Sequence, residues 1–414
     1  MTYYQFSTEC SDKSFRKSSS ISGLTKKRLV DALCKAVHSL CRILVDFSSA
    51  NSDGQVPQEF RAAFAFHLYM LFSVMFFIES EAKSTNSLDR RADNKVDNAE
   101  RDALRATCAQ AMLAASQAMC KHRSHLWQRG VADEAVAMLP CRIAYQMLES
   151  ATGVVARKAA SGDAALEMLA ATIDSSEHLL NTIVAALVDS LHAHEHMASL
   201  VAELCGMVNE NPTNRLALEL IREIGRLNPA GGEGGKASGI RNLTPFISDL
   251  ARMRPRIVLT SISQILPHLN SEPYSLRSAI VTAIGHILVY IGTIGDVPED
   301  EESSNIDLSK SRNALLDILC DRVLDVSSFT RGAVLKAWIS IVSANALPIE
   351  RLMSVTALAS DRLRDKTVVV RRSAMQVMLV ISSASWLLSR SIHSYVLSIA
   401  FDGVVGTQSF SRIT

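Results

Sequence analysis

Apolar positions toward the C-terminal end of the chain fall at helical spacing and repeat. Val334, Leu335, Trp338, Ile339 and Val342 mark one face of a helix, and Ala374, Met375, Met378 and Leu379 take the corresponding places about forty residues later. An earlier helix precedes each, through Leu315, Leu316, Ile318, Leu319 and Val323 in one copy and Leu352, Val355, Leu358, Ala359 and Leu363 in the next, where Pro348 suits a helix start. Polar positions echo with the same period. Asp321-Arg322-x-x-Asp325-x-x-x-x-x-Arg331 returns as Asp361-Arg362-x-x-Asp365-x-x-x-x-x-Arg371.

An antiparallel helix pair cannot bury its apolar face alone, so copies stack, and a period near forty is that of HEAT-type pairs. The pattern therefore predicts an all-α fold, an α-solenoid of antiparallel helix pairs. A third, diverged copy runs from Pro255 through Val258, Leu259, Ile262, Ile265 and Leu266 to a Ser271-Glu272-Pro273 turn, then Arg277 with Ile280, Ile284, Ile287, Leu288 and Ile291. Ser271 stands where Asp325 would be. Arg215, leading Leu216, Leu220, Ile221 and Ile224, is a weaker fourth candidate. Asp325, Arg331, Asp365, Arg371 and Arg277 are expected to be structural, since an Asp and an Arg at fixed spacing can pair within or between stacked units.

Upstream, residues 1–23 are Ser-rich and too poor in apolar groups to offset the entropy of ordering, so they read as a disordered tail. Residues 24–228 read as an N-terminal helical domain with a polar linker at 83–98, followed by a Gly-rich linker at 229–239. Repeats follow over 240–380 with an acidic insertion at 296–310, and 381–414 form an atypical tail. Within the first domain, Ala62 to Ile78 carries no formal charge. That is short of the roughly 20 residues that span a bilayer and includes His67, so it reads as a buried core helix.

Composition narrows the classes. Hydrophobic content of 48% with 6% aromatic suits helices built on Leu, Ala, Ile and Val. A net charge of +1 gives no global pull toward nucleic acid or membrane. The eight cysteines show no C-x-x-C pair, which points to a reducing compartment, and no secretory layout opens the chain.

Candidate chemistry is thin. Gly231 to Lys236 suggests a phosphate loop, but Ala230 and Ala237 occupy the positions of the first glycine and the metal-binding hydroxyl, so a linker is the better reading. His192, His194 and His196, with His178 upstream, invite zinc, yet on one helix only His192 and His196 share a face, and two ligands fall short of four. Arg252, Arg254 and Arg256, with Arg241 nearby, form a basic patch that is a candidate DNA contact. So do Arg362, Arg364, Lys366, Arg371 and Arg372, although solvated helix ends explain both clusters. No nucleophile elbow, carboxylate pair or Cys/His couple stands out, so no enzyme, cofactor or metal is expected.

Longer stretches carry a family likeness. Leu250-Ala-Arg-Met-Arg-Pro-Arg-Ile257, Ile265 to Ala279, Asp325 to Arg331 with Val334, Leu335 and Trp338, Asn345 to Pro348, and Ala357 to Lys366 resemble the condensin complex subunit 1 family. Ile221 to Arg226, His194 to His196, His125 to Trp127 and the Tyr69 helix resemble its N-terminal region. The resemblance implies a non-catalytic HEAT-repeat regulatory subunit that holds a kleisin and two SMC ATPases and assists DNA engagement in mitotic chromosome condensation. It further implies a nuclear and chromosomal location, cytoplasmic in interphase, a buried Phe60 to Ile78 helix, no membrane and no small-molecule substrate. Family members are much longer, and beyond Val380 the repeat frame is lost, which reads as a truncated or misread gene. The competing expectation is another α-solenoid adaptor of transport or phosphatase type.

Overall fold

The computed structural model describes residues 23–50, 54–85, 94–127, 133–150, 160–208, 215–226, 236–294 and 308–385. Residues 1–22, the acidic stretch after Gly295, Gly231 to Gly235 of the candidate phosphate loop, and 386–414 lie outside them. All described regular elements are helices, falling into two compact units that divide between Leu179 and Leu180. That division lies upstream of the Gly-rich stretch where composition places the domain boundary.

The first unit holds α1 (Gly23–Ala50), α2 (Gln58–Thr85), α3 (Asn94–Lys121), the single turn α4 (Arg123–Leu126), α5 (Glu134–Ser150) and α6 (Ala160–Ser175). The polar linker expected at 83–98 is shorter, since α2 runs to Thr85 and α3 starts at Asn94. Helix α3 is the centre, packing on α1 and α6, with α5 bridging α2 and α6. Small buried residues, Cys108, Ala109, Ala111 and Ala115, let neighbouring helices approach closely, while Met112, Leu113 and Met119 fill the space beside them. His125 pins the entry to α2: its Nδ1 lies 2.7 Å from the Gly54 carbonyl, and its own carbonyl accepts from the Val56 amide at 3.0 Å.

Helix α2 departs from expectation. Phe64, Leu68, Leu71 and Met75 are buried, but Phe66 is 55%, Phe76 50% and Phe77 43% exposed. The charge-free run had suggested burial all round; neighbours cover only one face. Gln58–Phe77 and Tyr274–Ile294 are both long and apolar enough to cross a membrane by length and composition.

The second unit is a stack of five helix pairs among the described residues: α7 (Leu180–Ala193) with α8 (Met197–Met207), α9 (Leu216–Arg226) with α10 (Lys236–Met253), α11 (Pro255–Ser261) with α12 (Tyr274–Ile294), α13 (Leu308–Arg322) with α14 (Ser328–Ser343), and α15 (Ile349–Arg362) with α16 (Val368–Ser385). Second helices form one layer, α8 on α10, α10 on α12, α12 on α14 and α14 on α16. Pairs α7/α8 and α9/α10 join the stack although neither carries the Asp/Arg echo. Helix α9 packs against α11, in the layer of first helices. Arg215, which precedes α9, is therefore not equivalent to Arg277, and the fourth candidate copy is corrected.

The first helix of the third copy is shorter than its apolar pattern. Alpha geometry stops at Ser261 and gives way to 3-10 turns at Ile262–Gln264 and Leu266–Asn270. Pro267 explains the change, because its ring lacks an N–H and clashes with the preceding turn.

Close contact between α12 and α14 depends on two glycines. A Cβ on Gly285 would sit 2.8 Å from Ala337 Cβ, and one on Gly292 would lie 2.3 Å from Ala346 Cβ and 2.7 Å from its Cα. Ala346 is held there by the end of α14. Asn345 takes φ 53°, and the Ala346 amide bonds to the Ile341 carbonyl at 2.9 Å, a left-handed cap. Gly292→Ala is expected to cost about 1–3 kcal/mol through overpacking, measured by urea unfolding. An unchanged midpoint would show that the two helices can separate freely.

Candidate functional site

The repeated Asp and Arg residues meet between successive pairs. Each ladder arginine is the fourth residue of a second helix, so its side chain lies beside the turn that precedes that helix. Arg331 Nη1 donates to the Asp325 and Val326 carbonyls of its own turn at 2.8 and 3.0 Å. Its Nε and Nη2 reach the next turn and grip both oxygens of Asp365, at 2.8 and 2.9 Å. Arg277 repeats this one step earlier, donating to the Ser271 and Glu272 carbonyls and, from Nε and Nη2, to Asp325 at 3.1 Å each. The aspartates are oriented in turn, since Asp325 Oδ1 accepts from the Ser327 amide and Asp365 Oδ1 from the Thr367 amide. Both carboxylates are only 4% exposed. Two-pronged, charge-assisted bonds of this kind fix orientation as well as adding energy.

Burial works against ionisation of Asp365, but the bonds from Arg331 and the Thr367 amide outweigh it and hold the carboxyl below its usual range. Ser271 ends the ladder upstream, having no carboxylate to offer. There Arg322 reaches back instead, bonding the Leu269 carbonyl and Asn270 Oδ1. Arg371 repeats only the carbonyl half of the pattern, with Nη1 bonds to Asp365 and Lys366 at 2.8 and 3.0 Å.

The basic patch is less uniform than its sequence. Arg252 is exposed but lies 3.5 Å from Asp249 on its own helix. Asp249 also accepts from the Ser199 hydroxyl, tying α10 to α8. Arg254 is half-buried and donates to the Gly206 carbonyl at the end of α8. Arg256 is exposed with no partner among the described residues. Nearby, burial first and then the Arg252 charge lower the pKa of His286, favouring its neutral form.

The histidine run does not lie on one helix. Helix α7 ends at Ala193 and α8 starts at Met197, so a turn separates His192 from His196, and it is His194 and His196 whose rings approach, at 5.5 Å. Among the described residues no group of three or more His, Cys, Asp or Glu could hold a metal ion. The seven cysteines among the described residues are free, and burial pushes the Cys205 thiol up to about 12.

Sequence reasoning missed the glycine contacts of α12, although Gly285 and Gly292, seven residues apart, share one helix face. It also missed the α7/α8 pair, which has no polar echo to reveal it.

Comparison with known proteins gives a family likeness for the N-terminal part of the sequence. Residues 24–182 match the family described as non-SMC mitotic condensation complex subunit 1, N-term. Over 254 residues, 61% of this chain, it is 30% identical to condensin complex subunit 1 of Xenopus laevis. Residues 24–182 of this chain are thus similar to the N-terminal region of the condensin subunit 1 family. Human condensin complex subunit 1 is 29% identical over 255 residues, and that of Schizosaccharomyces pombe 24% over 384 residues, 90% of this chain. The chain spans 18% of the length of the Xenopus and human condensin subunits and 32% of the fission yeast one. A chain from a solved Pds5–Scc1 complex aligns over 84% of this one and 59% of its own length, at 14% identity and a TM-score of 0.25, a likeness too slight to carry an argument. The α-solenoid expected from periodicity is what the helix pairs build, and the condensin resemblance read from the residues agrees with the family match.

Proposed function

We propose that this chain is a non-catalytic scaffold of the condensin complex. In this reading its helix pairs present surfaces to a kleisin and to SMC ATPases, and the complex acts on DNA in mitotic chromosome condensation, in the nucleus and on chromosomes. The family match over residues 24–182 carries the proposal. Stacked pairs clamped by an ion-pair ladder support it, because such a frame offers an extended rigid surface. The test is affinity purification of the tagged chain from mitotic extract with mass spectrometry. Recovery of SMC ATPases and a kleisin is the expected result; their absence, with the bait intact, would sink the proposal.

DNA contact through the basic patch is part of the same reading, narrowed by geometry to Arg252 and Arg256. Arg254 is committed to the Gly206 carbonyl, and its reversal would perturb α8 as well as any DNA. Arg252→Glu with Arg256→Glu is expected to weaken DNA binding alike for all sequences and to reduce the salt slope by about 2. An unchanged affinity and slope would remove both residues from the footprint.

A further inference from the structure

Two thiols meet where α1 packs on α3. Cys34 lies on the buried face of α1 with Val30, Val37 and Cys41 and is 4% exposed, and Cys108 of α3 is fully buried against it. The Cys108 thiol donates to the Cys34 sulfur, which itself lies 4.0 Å from the Thr107 carbonyl oxygen. Ala109 and Ala111 beside Cys108 are small, so the two helices run close enough there for cysteine side chains to touch. The bond from Cys108 outweighs burial and the Asp31 charge and draws the Cys34 thiol below the ordinary thiol range; the same bond, then burial, pushes Cys108 up. Cys41, Cys120, Cys141, Cys205 and Cys320 are all pushed up, by burial first. Cys34 is thus set apart as a nucleophile, and it has a second thiol in reach.

We propose that Cys34 and Cys108 are a reversible oxidation site, forming a disulfide that staples α1 to α3 when the chain meets a hydroperoxide. The Cys34 thiolate attacks the peroxide, the O–O bond breaks, and an alcohol, or water from hydrogen peroxide, leaves as Cys34 becomes a sulfenic acid. The Cys108 sulfur then attacks the Cys34 sulfur. The S–S bond forms, the S–O bond breaks, and hydroxide leaves with the Cys108 proton as water, so two thiols lose the two electrons that the peroxide gains. With the sulfurs already in hydrogen-bond reach, closing to about 2.0 Å needs only a small shift of α1 against α3. A transient, sensing disulfide of this kind suits a reducing compartment, where a permanent one does not.

The pair is internal to the chain, so its test is independent of any condensin partner. The full chain, freshly reduced, is treated with hydrogen peroxide, alkylated and digested without reductant for mass spectrometry. A cross-link between the Cys34 and Cys108 peptides is expected, with a melting temperature about 5 °C or more above that of the reduced chain, reversed by dithiothreitol. Cys34→Ala should abolish both, whereas Cys41→Ala, on the same face of α1, should leave both in place. Absence of the cross-link at peroxide concentrations that oxidise exposed methionines would overturn the proposal, as would a cross-link with no reversible rise in melting temperature. Both of these readouts are made on the natural chain, so they hold whether or not the variants fold.

Discussion

Asp365→Ala is expected to destabilise the chain by about 3 kcal/mol, in the range for breaking a buried ion pair by removing one partner. The substitution leaves Arg331, itself only 14% exposed, with two donors and no acceptor, and also deprives the Thr367 amide of its partner. Arg362, 3.8 Å from the same carboxylate, loses its counter-charge too. Asp365→Asn keeps volume and one acceptor, so its cost should be smaller. Acid should act in the same direction. Because the folded carboxyl titrates below its ordinary value, the stability it contributes is present above the unfolded pKa of about 4 and is lost as pH falls through the folded one. Urea unfolding at pH 7 measures the first effect; a loss below about 0.5 kcal/mol would show the pair to be a surface-like contact.

The second large effect concerns Trp338, 1% exposed and among the largest fully buried side chains. Trp338→Ala should cost about 3–5 kcal/mol, combining lost transfer energy with the cavity left behind. Trp338→Phe should cost far less, under about 1.5 kcal/mol. Its indole Nε1 is buried without an acceptor, so the natural residue already bears a desolvation penalty that phenylalanine lacks. The comparison is read from the difference between the two unfolding midpoints. Equal losses would show that the indole nitrogen has a bonding partner in solution.

These two residues lie where the sequence was most legible. From α13 to α16 the period, helix starts and paired Asp/Arg positions could all be read, because each repeat solves the same packing problem with the same residue types. Whether the ion pairs form within or between units stayed open, since spacing alone does not say which neighbouring turn Arg331 faces. The α7/α8 and α9/α10 pairs were hidden for a physical reason. They contribute apolar faces to the stack without the ladder, so only packing reveals them, and Arg215 was misassigned to the wrong helix of its pair. Helix α2 shows a further limit. A charge-free run reports what a helix could bury, but which face is covered depends on α1, α3 and α5. Gly292 and Asn345 belong together for the same reason: one clears space and the other turns the chain into it, a relation between distant residues that no local pattern contains.

The claim that the ladder clamps one helix pair to the next is tested most directly by a double-mutant cycle on Arg331 and Asp365, with Arg331→Ala, Asp365→Ala and the double variant unfolded in urea. A coupling of about 1.5 kcal/mol or more is the expected result, whereas losses that add within about 0.3–0.5 kcal/mol would contradict the clamp.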